Sequence, residues 1–150
     1  MGHIPETRDE LASYFDELGV NPAAFHLFGA HADDAFVLDH RPQGWVVFYS
    51  ERGGEDILST HPNEAAACAD LLTRVTEHDH VFFTLVAGPA PADQADADFA
   101  AWLQQQGAGR EDLDPSDWKT DDVPWVMTGP YWRRYFVRTL AARRLEHRSA

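Results

Sequence analysis

The sequence predicts an α+β fold in a single globular domain spanning residues 1–150. It has an antiparallel β-meander of three to four strands, helices packed on one face of it, and a helical C-terminal part. Three observations carry that expectation. Apolar residues recur at helical spacing before and after a central stretch. That central stretch holds aromatic, β-branched runs split by short polar breaks with turn chemistry. A chain of 150 residues, 44% hydrophobic and 12% aromatic, is also large enough to bury one core without staples.

The first helix is predicted in ETRDELASYFDELGV, with Thr7 capping, Glu10 three places on, and Leu11, Tyr14, Phe15 and Leu18 on one face. Gly19 ends it and Asn21-Pro22 turns the chain. AFHLFG, DAFVLDHR and GWVVFYSERG follow as strands, and the breaks AHAD and RPQG make consecutive antiparallel pairing the economical arrangement. EDILSTH adds a short fourth strand. HPNEAAACADLLTRVTEH is the second helix, with Pro62 in its first turn and Ala65, Cys68, Leu71, Leu72 and Val75 on one stripe. VFFTLVAG suits either a buried strand or more helix, because a short apolar run has no decisive period. ADQADADFAAWLQQQG is the third helix, stopped by Gly107, and residues 108–129 lack clear periodicity. Pro130 then opens a helix with Trp132, Tyr135, Phe136 and Leu140 on its apolar side.

Charge narrows the function classes. Twelve basic against 25 acidic side chains give −13; residues 130–150 hold six arginines against one glutamate, +5, which leaves −18 for residues 1–129. An acidic body repels phosphate backbones, so no nucleic-acid partner is expected, while encounter with a basic protein is favoured. The same charge also serves plain solubility. A lone cysteine, Cys68, excludes an internal disulfide and points to a reducing, cytoplasmic setting. The start MGHIPETRDEL has no apolar core of a secretion signal, and no apolar run approaches the roughly 20 residues of a membrane span.

The glycines in VVFYSERGGED invite a phosphate-loop reading, but Glu55 and Asp56 follow Gly53-Gly54 where an anion would sit. A hairpin turn supplied with positive φ is the expectation. Glu51 and Arg52, taken as strand neighbours, point to opposite faces, with Arg52 open to either structural anchoring or a partner contact. The run of form GW-V-FYSERG followed by NEAAACADLL resembles small bacterial immunity proteins of polymorphic toxins, including relatives paired with NAD-degrading toxins. The matching residues are Trp45, Tyr49, Ser50, Glu51, Arg52, Gly53, Glu64, Ala67, Cys68 and Leu72, and the likeness extends over residues 25–76 at most. It implies a cytosolic, non-catalytic antidote that plugs a toxin's active site.

Catalytic and metal motifs are not evident. His78-Asp79-His80 and the HADD of residues 31–34 offer ligand types, yet HExxH spacing is absent and HADD sits where turn residues are common. Cys68 lies on an apolar stripe as core filler, and no GxSxG elbow frames a serine. The expectation is no catalytic residue, no metal and no cofactor. GREDLDPSDWKTDDVPWVMTG is more pointed, because tryptophans within a rim of acids have the composition of an interface hot spot. Asp114, Asp117, Trp118, Asp121, Asp122 and Trp125 are the candidate contacts with a basic or phosphate-handling toxin domain. The competing reading has the tryptophans packing on the last helix and the acids neutralising its arginines. Two other classes stay open: a small enzyme or ligand-binding domain with a pocket between sheet and C-terminal helices, and a structural adaptor.

Overall fold

The computed structural model describes residues 4–28, 33–123 and 131–149. The fold is α+β, and the chain divides into two compact units, Met1–Val81 and Phe82–Ala150.

The first unit opens with α1, Arg8–Leu18. The Thr7 hydroxyl accepts from the Glu10 N–H at 3.2 Å, and the Glu10 carboxylate accepts from the Glu6 N–H at 2.9 Å. Gly19 closes the helix in the left-handed region at φ 79, as its sequence position requires. The chain turns through Pro22–Ala24 into β1, Phe25–His26, then β2, Ala35–Arg41, β3, Gly44–Glu51, and β4, Gly54–His61. Strand order is β1-β2-β3-β4. The antiparallel meander is β2-β3-β4, whereas β1 runs parallel to β2, with Phe25 opposite Phe36. The antiparallel pairing expected for AFHLFG is therefore corrected: β1 is confined to Phe25–His26 and pairs in parallel with the start of β2. α2, Glu64–Thr76, follows. Its cap is Asn63, whose side chain accepts from the Ala66 N–H at 2.8 Å, so Pro62 precedes the cap instead of lying in the first turn.

Leu11 and Phe15 of α1, and Ala67, Cys68, Leu71 and Val75 of α2, are buried, as are Leu38 and Val47 on one face of the sheet, while Val37, Val46 and Phe48 form a separate buried cluster. Pairing sets Phe36 opposite Tyr49, Leu38 opposite Val47 and His40 opposite Trp45, so these six share one face of β2 and β3. Between β3 and β4 the register shifts at Val47/Phe48, which inserts Leu58 as an extra residue.

The second unit has its own sheet: β5, Phe83–Pro91, β6, Trp118–Val123, and β7, Trp132–Arg138, in the order β5-β7-β6, all antiparallel. α3, Ala92–Gln105, and α4, Thr139–Ser149, complete it. VFFTLVAG is thus strand from Phe83 onward. The helix expected from Pro130 begins only at Thr139, and residues 132–138 are strand. There Tyr135, Val137 and Thr139 are buried at every second residue, a strand period that coexists with the helical spacing of Trp132, Tyr135, Phe136 and Leu140. The segment read as aperiodic contains β6. The core of this unit joins Ala95, Phe99 and Leu103 of α3 to Tyr135, Val137, Ala141 and Leu145.

Candidate functional site

The acidic segment lies along β6 and the short 3-10 turn before it, Pro115–Asp117. The Asp114 carboxylate accepts from the Ser116 N–H at 2.9 Å and its hydroxyl at 2.7 Å, which holds it below the usual carboxylate range. Asp117 meets the Arg138 Nε at 3.3 Å and an Arg144 guanidinium nitrogen at 3.4 Å. Cross-strand register puts Asp121 opposite Arg134 and Asp122 opposite Arg133. Both pairs are ion-paired, the second at 2.7 Å, and Arg133 also reaches Asp96 at 3.0 Å. Hydrogen bonds from Tyr135 and then Arg133 depress the Asp96 carboxyl. Trp118 is half-buried, with its ring centroid 5.7 Å from that of Phe99 and 6.1 Å from that of Tyr135. Trp125 lies outside the described residues.

Asp117, Asp121 and Asp122 answer arginines of their own unit, and that redistributes the charge argument. Phe82–Ala150 carries eight basic and ten acidic side chains, net −2; Met1–Val81 carries four and fifteen, net −11. The surplus therefore sits on the first unit.

That unit also holds a cavity of about 520 Å³. One side is the sheet, where Phe36, Tyr49 and Asp56 form a row across β2, β3 and β4 through the pairs Phe36–Tyr49 and Tyr49–Asp56. The other side comes from the end of α2 and the turn after it, with Arg74, Glu77, His78 and His80. The rings make a continuous wall: Phe36 to Tyr49 is 5.1 Å edge to face, Phe36 to His78 is 5.6 Å, and His78 to His80 is 5.6 Å. Asp34, at φ 60 just before β2, reaches the mouth because its N–H donates to the Ser50 carbonyl at 2.6 Å. Burial, then the nearby Asp34 and Glu51 charges, raise the Tyr49 phenol, which keeps it neutral. The residues that line the cavity all belong to the first unit, from the β2–β4 sheet, α2 and the turns beside them.

Behind Arg74 is a cluster of catalytic residue types. Ser59 and His61 project from β4 toward Asp70 and Arg74 of α2. The Ser59 hydroxyl donates to Asp70 Oδ2; His61 Nε2 stands 3.1 Å from that hydroxyl and 3.0 Å from the same Oδ2. In a serine triad the aspartate holds one ring nitrogen and the serine the other. Here a single nitrogen meets both, so the arrangement lacks the relay and instead ties β4 to α2. Arg74 Nε donates to Asp70 Oδ1 at 3.0 Å, which fixes the arginine at the cavity wall.

Burial alone would push Asp70 up, but bonds from Ser59, His61 and Arg74 outweigh it and leave the carboxyl below its ordinary value. A carboxylate depressed by folding adds stability above its unfolded pKa, about 4, and loses it as pH falls through the folded value. Asp70→Asn is therefore expected to lower unfolding free energy by about 1–2 kcal/mol at neutral pH. Urea titrations at pH 7 and pH 3 should show the gap from the native chain narrowing at the acid end.

Cys68 is fully buried, and desolvation with the Glu64 charge pushes its thiol up to about 11, the opposite of an activated nucleophile. The glycine loop is a two-residue turn, with Arg52 at φ 52 and Gly53 at φ 76, between the paired Glu51 and Gly54. Arg52 is thus a turn residue and not a strand neighbour of Glu51. The Gly53 N–H, the donor a phosphate would need, donates to Asp33 at 3.0 Å. Among the described residues no cluster of three or more His, Cys, Asp or Glu side chains is placed to hold a metal ion. Sequence reasoning found the HDH motif but weighed it as metal ligands; its relation to Phe36, Tyr49 and Asp56 depends on strand register. Compared with protein-family models, curated proteins and solved structures, the chain finds no match.

Proposed function

We propose that the chain is a non-catalytic binding protein, an antidote that occludes the active site of a basic, phosphate-handling toxin domain. The observation that carries this reading is the net charge of −11 on residues 1–81. A surface of that sign accelerates encounter with a basic cleft and imitates its anionic substrate with carboxylates. The contact surface moves accordingly from the segment 114–125 to the first unit, because Asp117, Asp121 and Asp122 already neutralise Arg138, Arg144, Arg134 and Arg133.

The test is capture of a stoichiometric partner from the native cell at low and moderate salt, followed by co-expression. A partner whose growth inhibition this chain relieves supports the antidote; absence of such a partner at both salts removes it. With the partner in hand, Asp9→Lys/Glu17→Lys/Glu51→Lys is expected to slow association about tenfold or more at low salt. That difference should shrink as added salt screens it. Asp121→Asn/Asp122→Asn is expected to change the association rate less than about twofold.

A further inference from the structure

We propose that the cavity of the first unit binds an organic cation of the guanidinium class, carried on a short apolar stem. Its volume, about 520 Å³, is that of a small-molecule site and exceeds what a gap in packing would leave. The half-buried rings of Phe36 and Tyr49, with His78 beside them, give flat faces on which a planar cation stacks.

Three carboxylates at the cavity, Asp34, Asp56 and Glu77, are exposed, and none of them is held in a salt bridge among the described residues. The one arginine of the lining, Arg74, has Asp70 as its counter-ion. The cavity is thus walled by rings and edged by uncompensated negative charge, which selects a cation and penalises phosphates and carboxylates. A guanidinium satisfies two carboxylates through its donor fork while its face lies on a ring, whereas an ammonium offers a point charge only. Because the carboxylates are exposed, charge discrimination resides in their sum and not in one pair.

This inference does not depend on the antidote reading, and its test involves no protein partner. The isotope-labelled full chain is titrated with N-acetyl-arginine amide and, in parallel, with N-acetyl-citrulline amide, its neutral counterpart of the same shape. Saturable shifts at Tyr49, His78 and residues 74–81 are expected for the arginine compound, with at least tenfold weaker binding of the citrulline one. Asp56→Asn/Glu77→Gln should weaken the arginine compound tenfold or more while the remaining amide spectrum stays native. Equal binding of the two compounds, no saturable shift with arginine, or an unchanged affinity in the folded double variant overturns the proposal. A glycine-serine octapeptide with one central arginine separates the sources. Binding comparable to the amide identifies a protein side chain as the natural cation, and entry of the free amide alone identifies a small metabolite.

Discussion

Phe99→Ala is expected to remove about 3–5 kcal/mol from the stability of the second unit, the range for deleting a buried aromatic ring. Phe99 is fully buried near the middle of α3, between Ala95 and Leu103 of the same buried stripe. Its ring lies over that of Tyr135 at 4.3 Å and 10°, with Trp102 and Trp118 on its flanks at 6.4 and 5.7 Å. The Arg110 guanidinium caps the group, 5.4 Å from the Phe99 and Trp118 centroids. Truncation therefore leaves a void that rigid rings cannot refill and removes one of the three cation–π contacts of Arg110. Thermal unfolding followed by near-ultraviolet circular dichroism should show the tryptophan signal weakened and its midpoint lowered by many degrees. A loss under 1 kcal/mol in denaturant titration would contradict this account of the core.

Gly88→Ala is expected to cost about 2–5 kcal/mol, from left-handed backbone strain together with overpacking. Gly88 lies in β5 at φ 80, and an added Cβ would stand 2.2 Å from the Arg133 carbonyl oxygen and 3.1 Å from the Arg134 Cα. The obstructing atoms are the backbone of β7, the central strand of the sheet, so no side-chain rotation relieves the contact. Relief requires β5 and β7 to separate, which loosens the pairing that sets Ala90 opposite Arg133. Denaturant titration measures the loss. The spectrum of the first unit is the internal control, since the substitution lies outside residues 1–81.

Both substitutions bear on the acidic, tryptophan-bearing segment. Composition admitted two uses for it, an interface or a neutralising partner for the C-terminal arginines. The β6–β7 register decides how Asp121 and Asp122 are occupied, because Arg134 and Arg133 stand directly across from them. Cross-strand pairs of opposite charge stabilise a sheet locally, so these acids have a structural role before any partner arrives. Trp118 likewise leans on Phe99 and Tyr135. The same distribution leaves the first unit with most of the negative charge, and there Asp34, Asp56 and Glu77 of the cavity are held in no salt bridge among the described residues, the lining arginine Arg74 being paired with Asp70.

Local chemistry was readable wherever the deciding interaction is local. Thr7 and Gly19 act within a few residues of themselves, so the cap and the end of α1 followed from spacing and from the need to satisfy free N–H and carbonyl groups, whereas α2 starts later than Pro62 suggested, at the Asn63 cap. A hairpin turn at the glycines was legible for the same reason, although it closes over Arg52-Gly53, with Gly54 already in β4. The burial of Cys68 also followed, because one apolar stripe on a helix has to face a core.

Residues 132–138 mark the limit. Their sequence satisfies a helical and a strand period together, and only pairing with β5 and β6, from 9 to 55 residues away in the chain, selects the strand. The cavity is a product of the same kind of choice. Phe36, Tyr49, Asp56, Glu77 and His78 come from three strands and the end of a helix, and no spacing along the chain encodes their meeting. Sequence by itself determined the cap and end of α1, the turns between β2, β3 and β4, the α+β class and the total charge, each of which depends on neighbours or on composition. Tertiary structure alone decided which acids are neutralised and which surround the cavity, because strand register fixes the counter-ion each carboxylate meets.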